Sequence, residues 1–129
     1  MCRNYIKNNR TLNKRQNRIN KLLKKPYNTL TIEERLEVIY DKYYKRLKIT
    51  YEEYVFLTLT NDELWFLYKD NEYMLSFHYD EYVSMLVTEY KDGQKSLERV
   101  ENFSSIFELL DKFKIEDKTI KEVWEDVTF

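Results

Sequence analysis

The stretch Tyr82-Val83-Ser84-Met85-Leu86-Val87-Thr88-Glu89-Tyr90-Lys91-Asp92-Gly93-Gln94-Lys95-Ser96-Leu97-Glu98-Arg99-Val100 reads as two extended segments folded back on each other at Asp92-Gly93. Aromatic and β-branched side chains dominate Tyr82 to Tyr90, as suits a pleated, half-buried surface. Asp-Gly is among the dipeptides that tolerate the two positive φ angles of a tight hairpin, and it is the strongest two-residue hairpin signal in this chain. Working upstream, Tyr54 to Thr60, Leu64 to Tyr68 and Tyr73 to Phe77 have the same character, and Lys95 to Val100 completes the series downstream. The breaks between them fall at Asn61-Asp62, Asp70-Asn71 and Tyr79-Asp80. Connections this short join only antiparallel neighbours, so the segment predicts a meander of four or five strands.

Helical periodicity flanks the meander on both sides. Thr11 to Lys25 places Leu12, Ile19, Leu22 and Leu23 on one side of a helix and cations around the rest. Pro26 ends it, because the residue before a proline is pushed out of the α region. Thr31 and Glu34 form a capping box that opens a helix over residues 32 to 47, with Ile32, Leu36, Ile39, Tyr40, Tyr43, Tyr44 and Leu47 at helical spacing. After the meander, Ser105 with Glu108 and Thr119 with Glu122 open two short helices. The order of elements predicts an α+β fold: N-terminal helices, an antiparallel meander, and two short C-terminal helices packed on one sheet face. Residues 1–25 read as a basic arm or helix, mobile or docked, and residues 26–129 as a single domain.

Charge divides the chain sharply. Arg3, Lys7, Arg10, Lys14, Arg15, Arg18, Lys21, Lys24 and Lys25 occur with no carboxylate among the first 25 residues, whereas residues 61–129 carry 17 Asp and Glu against 8 Lys and Arg. The formal net charge of −1 hides this dipole. Such a run of cations, interspersed with Asn8, Asn9, Asn13, Gln16 and Asn17, binds a phosphate backbone through counterion release without reading bases. A second reading docks the arm on an acidic protein surface, and the bland counterpart is a solvated tail or one docked on the chain's own acidic domain. Asp62, Glu63, Asp70, Glu72, Asp80 and Glu81 are candidates for an acidic partner-binding face that imitates phosphate spacing. The bland explanation, which carries more weight, is that they are ordinary solvent-facing positions of a one-sided sheet. Tyr51, Tyr54, Tyr68, Tyr73, Tyr79, Tyr82 and Tyr90 supply contact area at low entropic cost, and alternation along the strands assigns about half of them to the core.

Catalytic signatures are sparse. Asp80 followed by Glu89-Tyr90-Lys91 matches the acid, acid-x-lysine pattern of metal-dependent nucleases, a short pattern that a chain with 35% charged residues produces by chance. His78 is the only histidine and Cys2 the only cysteine, so no zinc set is expected, nor an internal disulfide, and cysteine usage favours a reducing cytoplasm. The expectation is a protein that is not an enzyme and uses no cofactor. One Gly and one Pro argue against phosphate-cradling loops. The longest apolar run, Leu64 to Tyr68, is far below the roughly 18 residues of a membrane span, and no apolar core of a signal peptide is seen. Trp65 reads as core if its strand is central, and Trp124 as either a seal on the sheet or an exposed contact.

A basic arm on a small α+β domain, Tyr- and Asp-rich hairpins and a single glycine together resemble the small phage-encoded antagonists, in particular anti-CRISPR proteins of type II systems. The resemblance lies in organisation, not in a motif. It implies a stoichiometric inhibitor in a bacterial host cell that binds a ribonucleoprotein effector, a nuclease with its guide RNA, the arm touching RNA or DNA and the acidic face meeting protein. Two other readings stand beside it: a nucleic-acid-binding accessory protein of a mobile element, and an immunity or antitoxin-like protein whose acidic face covers a toxin.

Overall fold

The computed structural model describes residues 2–60, 63–78 and 81–129, with side chains in the first helix from Asn13 onward. It has two compact units, residues 1–45 and 46–129.

The first unit is a helical hairpin. Helix α1 spans Cys2–Leu23 and α2 spans Ile32–Tyr44. Pro26 starts a single 3₁₀ turn, Tyr27–Thr29, that reverses the chain. The turn is held down by the Arg35 guanidinium, which stacks on Tyr27 at 5.1 Å and donates to the Asn28 carbonyl at 3.3 Å. Thr31 caps α2 as expected: its hydroxyl accepts from the Glu34 amide at 3.1 Å, and Glu34 Oε1 accepts from the Thr31 amide at 2.9 Å. Ile19 and Leu22 of α1 are buried together with Leu30 and Val38, so the thin aliphatic stripe of the basic segment anchors it to α2. The expected boundary at Pro26 falls inside this hairpin. Helix α2 stops at Tyr44, short of Leu47, and Arg46 adopts a left-handed φ of 58°.

The second unit is the α+β domain. Its sheet has four antiparallel strands in the order β1 (Leu64–Tyr68), β2 (Asn71–His78), β3 (Tyr82–Lys91) and β4 (Gln94–Phe103). The expected fifth strand does not exist, because Tyr54 to Thr60 lies in α3 (Tyr51–Leu57) and a following 3₁₀ turn. The cause is local. Thr50 and Glu53 form a second capping box, with bonds of 3.0 and 2.9 Å. That start signal, with Tyr54, Leu57 and Thr58 buried at helical spacing, outweighs the strand propensity of Tyr, Val and Phe.

Asp92 and Gly93 have φ of 55° and 75°, the paired positive values of a two-residue hairpin. The β1–β2 hairpin uses Lys69 and Asp70 in the same way, with φ of 48° and 65°, one residue earlier than Asp70-Asn71. Helices α4 (Ile106–Lys112) and α5 (Ile120–Val123) follow the strands. One sheet face, with Leu64, Phe66, Tyr68, Tyr73, Leu75, Val83, Met85 and Val87, is buried with Tyr54, Leu57, Leu109, Phe113, Ile120 and Trp124. Aromatic rings bind these layers together. Tyr54 lies 4.8 Å from Trp124 and 5.7 Å from Phe66, Phe66 stacks on Tyr73 at 5.1 Å, and Tyr73 meets Phe113 at 6.1 Å. Trp124 seals the core, donating from its indole to the Ile49 carbonyl at 2.9 Å. The edge of β1 is closed by a backbone bridge between Leu67 and Thr128, with bonds of 2.8 and 2.9 Å.

Candidate functional site

Two surfaces stand out, one on each unit: the basic face anticipated from the sequence, and an apolar sheet face that was not anticipated. On the helical hairpin, Lys14, Arg18, Lys21 and Lys25 follow one another at spacings of four, three and four residues. The first three therefore share one face of α1 over about 10 Å of helix axis, and Lys25 lies two residues beyond the end of the helix. Asn17 lies between them, and these residues with Leu22 and Glu34 line a cleft of about 400 Å³. Burial of Ile19 and Leu22 fixes the rotation of the helix, which leaves Lys14, Arg18, Lys21 and Lys25 exposed.

The four cations are not equivalent. Arg18 makes a two-pronged contact with Glu37 of α2, Nε to Oε2 at 2.5 Å and Nη2 to Oε1 at 2.9 Å. The hydrogen bonds that Arg18 donates to Glu37, and then the charge of Glu37, hold the guanidinium pKa above its already high ordinary value. Lys25 lies 3.8 Å from Glu34. Glu34 is itself kept below the usual carboxylate range, first by the Thr31 amide and more weakly by the Lys25 charge. Lys14 and Lys21 have no ion-pair partner among the described residues, and the same holds for Arg15 on another side of the helix and Lys24 just past its end. Of the expected basic set, the side chains of Arg3, Lys7 and Arg10 lie outside the described residues, although their backbone belongs to α1. The carboxylates of α2 that meet the basic face escaped sequence reasoning, since nothing in the spacing of Arg18 and Glu37 shows that two helices will turn back on each other in this register.

The second surface is the sheet face opposite the helices. Cross-strand pairing aligns Trp65 with Met74, Met74 with Leu86 and Leu86 with Val100, an apolar row across all four strands. Trp65, Met74 and Leu86 are half-buried and Val100 is exposed. With Glu72 and Thr88 the first three line a shallow cavity of about 240 Å³. Trp65 is thus a surface residue of an edge strand and not core, with the Arg46 guanidinium 5.3 Å from its ring. No family model, curated protein or solved structure matches this chain.

The expected acidic face is only partly assembled. Asp62 and Asp80 lie outside the described residues. Glu72 is exposed on the apolar-row face, Glu63 precedes β1, Asp70 sits at a hairpin tip, and Glu81 is in the turn before β3. Glu98 shares a cross-strand line with Glu72, with Thr88 between them, but also pairs with Lys95 at 2.9 Å.

Of the tyrosines, Tyr54, Tyr68 and Tyr73 are core, Tyr51 is half-buried, Tyr82 and Tyr90 are exposed, and Tyr79 lies outside the described residues. Burial holds the Tyr51 and Tyr73 phenols above their ordinary pKa. His78 is half-buried, stacked on Tyr82 at 4.3 Å with Nε2 2.8 Å from Ser84 Oγ. Glu89 and Lys91 of the nuclease-like pattern sit at the end of β3, where the register shifts between Glu89 and Tyr90. Among the described residues no cluster of three or more His, Cys, Asp or Glu could hold a metal ion. None of the described helices is long and apolar enough to cross a membrane.

Proposed function

We propose that this chain is a non-enzymatic binding protein that associates stoichiometrically with a nucleoprotein effector, laying the cationic face of α1 along a phosphate backbone. The observation that carries this reading is the row Lys14, Arg18 and Lys21 around Asn17, on a helix held in place by its own aliphatic side and continued by Lys25 just past its end. A helix presents such a row at fixed spacing, so phosphate contacts are made without the ordering cost of a disordered tail. Asn17 adds a neutral donor and acceptor of the kind that positions phosphates. The apolar row of the sheet, Trp65 to Val100, offers the second unit's contact with the effector's protein part. In the form implied by the resemblance to anti-CRISPR proteins, the effector is an RNA-guided nuclease and binding prevents it from loading DNA.

The test is binding of the full chain to single-stranded RNA, to duplex DNA and to a guide-loaded RNA-guided nuclease over a range of salt. Affinity for the nucleic acids should fall as salt rises, and Lys14→Glu with Lys21→Glu should abolish most of it. An inhibitor co-elutes with the loaded nuclease and binds bare duplex weakly. An accessory DNA-binding protein does the reverse. Salt-independent binding, or binding untouched by the double substitution, would refute the role given to α1.

A further inference from the structure

Two of the four cations in this row, Arg18 on α1 and Lys25 just past its end, are already engaged by carboxylates of the same unit. The Arg18 guanidinium offers a planar fork, and Glu37 takes that fork with both oxygens, in the geometry in which a phosphate would accept it. Both partners remain substantially exposed, with side-chain accessibilities of 62% and 40%. An exposed pair of this kind is weakly held and can be broken by a competing anion. Glu37 is anchored independently of Arg18, since it lies within α2, whose start is fixed by the Thr31 and Glu34 capping box. The carboxylate therefore stays beside any phosphate that approaches Arg18, and its charge opposes that phosphate.

We infer that Glu37 is an internal competitor for phosphate at Arg18, a specificity-determining residue that keeps the α1 face from binding bare polyanions at full strength. This rests on the reading of α1 as a phosphate-binding face. Free nucleic acid then engages chiefly Lys14 and Lys21 with Asn17, while Arg18 contributes little. Full engagement requires a partner that fixes phosphates at Arg18 by contacts made elsewhere, as a folded nucleoprotein does and a flexible strand does not. A protein that must find an assembled complex amid a large excess of nucleic acid gains selectivity from such a brake.

The experiment compares the full-length wild type, Glu37→Gln, Arg18→Gln and the double variant, measuring affinity for a single-stranded RNA homopolymer between about 50 and 200 mM salt. Each additional phosphate contact steepens the plot of log affinity against log salt by roughly 0.7 for a single strand. Glu37→Gln should steepen it by about that amount and raise affinity several-fold at low salt. Arg18→Gln alone should change the slope little, and in the Glu37→Gln background it should remove the gain. Helical content by circular dichroism verifies that each variant retains the hairpin. If wild type and all variants fail to bind RNA, the phosphate-binding reading of α1 is lost. If wild type binds but Glu37→Gln leaves slope and affinity unchanged, or Arg18→Gln does not cancel its effect, Glu37 is no competitor.

Discussion

Replacing Trp124 by Phe probes the seal of the α+β unit more directly than any other single change. The indole is buried, and its ring lies 4.8 Å from Tyr54, 5.8 Å from Phe66 and 5.8 Å from Phe129. Its Nε1 donates to the carbonyl of Ile49, a residue with no exposed surface. Phe keeps an aromatic ring in the cluster but removes the donor, and a buried carbonyl left unpaired costs about 1–3 kcal/mol. The smaller ring forfeits roughly 40 Å² of burial, about 1 kcal/mol at ~25 cal/mol per Å². The expected loss is therefore about 2–4 kcal/mol. With a urea dependence of roughly 1.5 kcal/mol per molar, the midpoint should fall by about 1.3–2.7 M.

Trp65→Phe is the matched control. Trp65 lies half-buried on the opposite sheet face, with Arg46 over its ring. Its truncation should cost no more than about 1 kcal/mol, the scale of an exposed cation–π contact. The chain has two tryptophans, so each variant retains one as a fluorescence reporter, and far-ultraviolet circular dichroism follows the same unfolding. A loss below about 1 kcal/mol for Trp124→Phe, or one no larger than that of Trp65→Phe, would overturn the assignment of these two residues to opposite sides of the sheet.

The remaining expectations concern the capping boxes and acid. Thr50→Ala should cost about 1 kcal/mol by leaving the Glu53 amide uncapped, with Thr50→Ser recovering most of it in urea unfolding. No cost would mean that packing of Tyr54 and Leu57 alone sets the start of α3. Glu34 and Glu122 are held below the ordinary carboxylate range chiefly by the Thr31 and Thr119 amides, Glu108 by the Ser104 hydroxyl and Glu116 by Lys69. A carboxylate whose folded pKa is depressed adds stability that is complete above its unfolded value, about 4.3, and is lost as pH falls through the folded value. Urea midpoints should accordingly hold from neutral pH to about 5 and drop below about 4.3. Glu34→Gln with Glu122→Gln should flatten the drop, and an unaltered acid limb would rule out the capping carboxylates as its source.

How far the fold is legible depends on whether a signal is local. Thr31 with Glu34 and Thr119 with Glu122 were readable because a capping box involves only residues within one turn of each other. The Asp92-Gly93 hairpin was readable because its residues themselves favour positive φ. The same logic should have exposed α3, whose Thr50 and Glu53 have the identical spacing; the Tyr-, Val- and Phe-rich segment that follows masked it, since β propensity largely measures a packing environment that α3 supplies in helical form. Lys69, by contrast, does nothing to advertise a positive φ, so the first hairpin turn was placed one residue late.

The sequence by itself determined the α+β class, the succession of N-terminal helices, antiparallel meander and C-terminal helices, the charge division between α1 and the later chain, and the thin aliphatic stripe of the basic segment. These follow from periodicities and caps that act over a few residues. Only the tertiary structure decided that Glu37 meets Arg18 across nineteen residues, that Trp65 faces outward while Trp124 closes the core, and that Met74, Leu86 and Val100 line up with Trp65. Each depends on how one element is registered or rotated against another, and that is set by the summed burial of many side chains, not by any local run of residues.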